Sequence, residues 1–288
     1  MASLTAPGTV SKLLWHFTGG PNWNERRQRQ NHRPKSPELA YEALLSILKT
    51  RELRLGNYAE TARVELPSRP RFDPSGKATE TQQNSIITVR SAPICCLADI
   101  PIPHLAYHSN RYGKFAIAFH RDAVVDQGFN PVLYTLQDTG VIRSLYTGLN
   151  GANATDLATI SSSAGEIESL ADDVSEDAGS EIASAAQLID LEADAVEDSI
   201  EHARSSFRQL LAFIKTFSRS EFQTVYCERE WRSLRPFKFR YEDVAMVVLP
   251  KAIGDRKYFD RLLRSRVFTS HQIPRSLPLV PWDDLVEH

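Results

Sequence analysis

An α+β fold with a mostly antiparallel or split β-sheet is predicted for this chain, on three observations. Strand-like runs (SKLLWHFT at 11–18, FAIAFH at 115–120, DVAMVVL at 243–249) lie before and after helical segments without strict β-α-β alternation. One helix has a complete start signal, with Ser36 as N-cap, Pro37 at the first helical position and Glu38 in the first turn. The composition, 288 residues with 42% hydrophobic and 24% charged, suits a folded core and excludes a collagen-like or wholly disordered chain.

The first strand, Ser11–Thr18, should stop at Gly19-Gly20. Residues 21–35 are polar and basic and read as a loop carrying Arg26, Arg27, Arg29, Arg33 and Lys35. The helix from Ser36 places Leu39, Ala43, Leu44, Ile47 and Leu48 on one stripe and should end near Arg51. Leu53–Gly56 then runs extended, and residues 57–84, rich in Pro, Ser, Thr and charge, read as a long irregular excursion. Further strands are expected at Ile86–Arg90, Ile94–Leu97, Val132–Leu136 and Thr224–Leu234, with a short helix or turn in Ile100–Tyr112. Asp255–Arg266 reads as a basic amphipathic helix, and the tail with Pro274, Pro278 and Pro281 as irregular surface chain.

The net charge of −2 hides an asymmetry, because residues 151–204 hold 14 Asp or Glu against a single basic residue, Arg204. The rest is a basic body that permits a nucleic-acid or nucleotide partner. Residues 1–140 and 205–288 are therefore expected to form one core domain, and 141–204 an acidic insert. That insert should be partly disordered over 141–177. From about 178 to about 217, apolar residues recur at alternating steps of three and four, which predicts a long amphipathic helix. Its seam either packs on its own domain or binds a partner protein or second copy. No apolar run approaches the roughly 20 residues that span a bilayer, so no membrane is expected. The absence of a secretory leader pattern and of paired cysteines points to the cytoplasm.

P-loop, dinucleotide-turn, HExxH and GxSxG motifs are all missing. Three segments carry chemistry-bearing residues instead: Trp15-His16-Phe17-Thr18; Cys95–Pro101 followed by His104, His108 and Tyr112; and Tyr226–Arg232, where Glu228 and Glu230 would share one strand face. His16 reads either as a ligand group or as a buried histidine satisfied by backbone. The two glutamates read either as site groups or as one side of an ion-pair ladder. Asp99, His104 and His108 have ligand-like chemistry, but no fourth ligand is evident and no metal is expected.

WHFT at 15–18, CCLADIP at 95–101, His108, YGKFAIAF at 112–119, NPVLY at 130–134 and EREWR at 228–232 together resemble the AbiGi family of abortive phage-infection proteins. Leu97-Ala98 departs from the aromatic and second cysteine that members often carry there. The order of these segments is also similar to that of ADP-ribosyltransferases. That resemblance implies NAD as substrate, with His16 and Thr18 on its ribose side, Tyr112 as stacking ring, Glu230 as catalytic carboxylate and Glu228 beside it. A carboxylate near the ribose would stabilise developing positive charge and accept the acceptor's proton. Arg26, Arg27, Arg29 and Arg33 would then meet a nucleic-acid or protein target. The alternative is a non-catalytic antitoxin or regulator that holds its partner through the acidic insert.

Overall fold

The computed structural model describes residues 11–21, 23–24, 29–30, 33–56, 58–66, 69–72, 78–82, 85–137, 139–150, 195, 198–270 and 273–286. They fall in two compact units, one made of Met1–Ala59, Pro93–Tyr134 and Ala212–His288, the other of Glu60–Ala92 and Thr135–Leu211. The fold is mixed α+β with a mostly antiparallel sheet.

The first unit is built on seven strands: β1 (Leu13–Phe17), β2 (Cys95–Ala98), β3 (Ala116–His120), β4 (Asn130–Pro131), β5 (Glu230–Ser233), β6 (Val244–Leu249) and β7 (Leu279–Pro281). Their order is β4-β5-β2-β1-β3-β6-β7, antiparallel except for the parallel β6–β7 edge. Pro131 and Pro281 sit on the two edge strands, where a missing N–H costs no ladder bond. The helices α1 (Pro37–Thr50), α2 (Leu105–Tyr112) and α3 (Arg121–Asp126) flank the sheet in sequence.

Alternation along the strands sorts the core into two layers. Leu14, Leu97, Ile117, Phe119, Val247 and Leu249 pack with Ala40, Tyr41, Leu44 and Leu48 of α1. On the other face, Ala116 and Ala118 leave room for two fully buried indoles, Trp15 and Trp282. Trp15 Nε1 donates to the Ile100 carbonyl at 3.0 Å, which satisfies its one polar atom. α1 forms as its sequence dictates: Ser36 accepts from the Leu39 N–H, and Arg51 closes the helix in the left-handed conformation.

β1 and β2 pair at one position only, Trp15 with Ala98, whereas β1 and β3 pair along their whole length. Beyond Trp15 the two strands part. This gap positions the site.

In the second unit, Thr61–Leu66 pairs antiparallel with Ser85–Arg90, and Arg69–Phe72 with Ala78–Gln82. The stretch read as an irregular excursion is thus β-ribbon: Thr61–Leu66 alternates polar with apolar residues and buries Ala62 and Val64, a short pattern set among prolines and polar residues. A helix over 198–212 buries Ile200, Phe207 and Leu211, and Phe207 packs edge-on against Tyr146 at 5.0 Å. Over this stretch the seam therefore packs on its own unit. Leu211 faces inward there and Leu210 outward. The helix stops at 212, not 217. Ile214–Phe217 is a strand, in keeping with its β-branched and aromatic residues. Residues 151–194, with most of the acidic charge, lie outside the described residues.

Three other expectations are corrected. Residues 222–228 form turns and a 3-10 helix, Tyr226–Glu228, so the late strand begins only at Glu230. The basic helix is limited to Tyr258–Leu263, with a separate turn of helix at Arg266–Thr269. The proline-rich tail adds β7 to the sheet and buries Trp282 in a terminal helix, Trp282–Val286.

Candidate functional site

A cavity of about 330 Å³ lies where β1 and β2 part, at the lower end of the size range of small-molecule sites. His16, Phe17 and Thr18 of β1, Cys95–Ala98 of β2, Ala43 and Ile47 of α1, His108 and Tyr112 of α2, and Lys215, Glu228 and Glu230 line it. By alternation, His16 and Glu230 belong to opposite faces of the sheet, since Glu230 is level with Ala98 and Ala98 with Trp15. They share one hollow because the sheet is open between them.

His16 occupies the gap itself. Its Nδ1 lies 3.2 Å from the Cys96 carbonyl, which can only accept, so Nδ1 carries the proton and Nε2 keeps its lone pair. Burial lowers its pKa to about 4, against the support of the Cys96 bond and with help from the nearby Lys35 charge. The imidazole is neutral at pH 7.

Glu230 opens β5 and is buried. Burial alone would raise its pKa, but the fully buried Arg232, bonded to it at 2.8 Å, and Lys215 at 3.7 Å hold it at about 2. Arg232 is fixed in turn by the Ala212 carbonyl at 2.7 Å. The Cys96 thiol, its own pKa driven well up by burial and by Glu230, also donates to this carboxylate. Glu228 has the opposite bias: burial raises its pKa, and Lys215 offsets this only in part. It accepts from Tyr112 Oη at 2.8 Å and pairs with Arg111 at 3.2 Å. Two carboxylates two residues apart are therefore pushed in opposite directions, the arrangement that separates a permanent anion from a proton carrier.

The two glutamates do not share a strand face. Glu228 ends the 3-10 turn, and Arg229 reverses the chain at φ 44°, a left-handed conformation that a non-glycine residue adopts only under constraint. Asp99 supplies the constraint: its carboxylate holds the Arg229 guanidinium at 2.9 Å, and its N–H donates to the Arg229 carbonyl at 3.1 Å.

The other expected residues divide. Thr18 lines the cavity, but its buried hydroxyl donates to the Ala40 carbonyl at 2.8 Å. Tyr112 lines it too, yet its ring stacks on His108 at 4.3 Å and its hydroxyl serves Glu228. Arg33 is exposed and outside the cavity lining, the Arg29 side chain is not described, and Arg26 and Arg27 lie outside the described residues. Sequence reading missed Lys215, which it had assigned to a helix, and Tyr58, whose hydroxyl accepts from Lys215 at 2.8 Å. No group of three or more His, Cys, Asp or Glu is placed to hold a metal among the described residues. Nor is any helix among them long and apolar enough to cross a membrane.

Fold and cavity together define an α+β protein with a ligand-sized hollow at a break in its sheet. The chain belongs to the AbiGi family, described as "Putative abortive phage resistance protein AbiGi, antitoxin", which matches residues 75–258. That span contains β2, α2, Glu228 and Glu230 and leaves out β1 with His16. No curated protein and no solved structure matches the chain.

Proposed function

We propose that this chain acts in abortive phage infection as an NAD-using, ADP-ribosyltransferase-like effector. The convergence of His16 and Glu230 on one cavity carries the reading. A half-buried ammonium, Lys35, and an ionised Glu230 in the same cavity fit a ligand with an anionic part and a part that becomes cationic. When bound, NAD supplies a glycosidic bond whose electron pair leaves with nicotinamide. The Glu230 carboxylate, already charged and held by Arg232, lies in place to stabilise positive charge on the ribose. His16, neutral and fixed through Nδ1, offers Nε2 as an acceptor for a ribose hydroxyl. Glu228, with its raised pKa and its bond from Tyr112, is the group suited to take the acceptor's proton.

The purified chain, incubated with NAD and nucleic-acid or protein acceptors, should release nicotinamide. Glu230→Gln should lower that rate on the order of 100-fold or more. If the wild type releases none with any acceptor while Glu230→Gln stays fully protective against phage, the catalytic reading is wrong.

The family description and the 14-to-1 acidic excess of residues 151–204 support a second reading, an antitoxin that binds its partner through the insert. Deleting 151–204 separates the two. An effector keeps its nicotinamide release, whereas an antitoxin loses partner binding and protection together.

A further inference from the structure

Tyr58 also lines the cavity, and the chemistry described above gives it no task. The Lys215 ammonium lies 5.0 Å from its ring centroid and donates to its hydroxyl at 2.8 Å, and the Arg232 guanidinium is 5.9 Å from the same ring. One ring thus meets both cations that serve Glu230. Those cations are held differently. Arg232 bonds Glu230 directly at 2.8 Å, whereas Lys215 Nζ stops 3.7 Å from that carboxylate, beyond hydrogen-bond reach, and directs an N–H to Tyr58 instead. An ammonium bonded to a carboxylate settles at about 2.8 Å, so the phenol oxygen holds this one back.

The place it is held in serves a second carboxylate. Glu228 faces Lys215, Glu230, Arg111 and the Tyr112 hydroxyl, and of these Lys215 favours its anion most. Glu230 faces Arg232, Lys215 and the Cys96 thiol, and its N–H donates to Tyr134 Oη. If Lys215 closed on Glu230, Glu228 would be left to Arg111, whose side chain is 43% exposed and screened by solvent.

We infer that Tyr58 is a positioning residue of the carboxylate pair: its hydroxyl holds the Lys215 ammonium off Glu230, in a place shared with Glu228. This rests on the reading of the cavity as the functional site and adds a residue that acts on both carboxylates through a third group.

Titration of the glutamate side chains by carbon NMR on the ligand-free full chain tests it, together with the pH profile of nicotinamide release. Tyr58→Phe removes one oxygen and keeps the ring. It should move the Glu228 titration upward, because the released ammonium closes on Glu230, and the acid limb of the pH profile should follow. Lys215→Met should give a larger upward move, about one pH unit or more. In the Lys215→Met background Tyr58→Phe should have no further effect, which a merely structural role of the phenol would not reproduce. Both variants keep the Arg232–Glu230 pair, and the isosteric Tyr58→Phe preserves packing should Lys215→Met fail to fold. The inference is overturned if Tyr58→Phe leaves the Glu228 titration in place, moves it downward, or moves it equally with and without Lys215. Should the titration move as expected while NAD yields no nicotinamide, the Tyr58 assignment stands and the transferase reading falls. Nicotinamide release with a titration and pH profile that Tyr58→Phe leaves unmoved has the opposite meaning.

Discussion

At the residue scale, the site depends on charges that cannot be separated cheaply. Arg232 is fully buried, and Glu230 is the carboxylate that matches it. Glu230→Gln therefore leaves a buried guanidinium uncompensated and should cost about 3 kcal/mol, read as a lowered denaturation midpoint. Substituting both, Glu230→Gln with Arg232→Met, should recover part of that loss; if the double variant is no better than the single one, the pair is not what stabilises this strand. Arg229 illustrates strain held in place by a partner. Asp99→Asn weakens the grip on its left-handed backbone, so it should reduce activity more than it reduces stability, seen as a lower kcat at a nearly unchanged melting temperature. His16, Glu228, Glu230, Thr18 and Tyr112 were readable as candidates because their residue types stand out in short motifs. Lys215 was not, since a lysine among apolar repeats at period 3.5 looks like a solvated helix position.

At the scale of single elements, caps and turns were the most legible features. Ser36-Pro37 starts α1 and Arg51 ends it where the sequence says they should. The left-handed Arg51, at φ 54°, invites a test. Arg51→Gly should stabilise the chain by about 0.5–1 kcal/mol, measured by denaturant titration, and a destabilisation would mean that the guanidinium matters more than the backbone. The turn after β1 is tighter. A Cβ on Gly19 would sit 2.6 Å from the Tyr112 carbonyl oxygen, so Gly19→Ala must push α2 away from β1 and should disrupt both stability and ligand binding. What sequence reading did not find was the ribbon over 61–82. TARVEL at 61–66 does alternate, burying Ala62 and Val64, but Pro67, Pro70 and Pro74 and the polar run after them hide the pairing. Nor could it show the parting of β1 and β2, because WHFT and CCLA are both ordinary strand sequences and only the register shows that one pair alone forms.

At the scale of the whole molecule, the buried titratable groups set the acid response. In the unfolded chain a histidine takes up its proton near 6.5, whereas His16 and His108 do so only near 4 and 3 when folded, both chiefly through burial. The unfolded state then binds more protons, so stability is intact above about pH 6.5 and falls as the pH drops towards 3. Glu230 adds to the loss below 4.5, since it stays charged down to about 2. Glu228 opposes it, its raised pKa letting the folded form hold a proton that the unfolded form has lost. A steady decline of the denaturation midpoint between pH 6.5 and 4 is expected, and His16→Gln should reduce its slope by about half, with His108 supplying the rest; a flat wild-type profile would contradict the burial assigned to these rings.

The single contact between β1 and β2 has a mechanical meaning. In the backbone ladder, β4, β5 and β2 meet the other four at one paired position, Trp15 with Ala98, and His16 lies beside it with Nδ1 on the Cys96 carbonyl. A molecule lodged there would act as a wedge and a splint at once, bridging strands whose ladder pairs at a single position. Amide hydrogen exchange around residues 16–18 and 95–97 should therefore slow more on ligand addition than anywhere in the fully zipped β1–β3 pair.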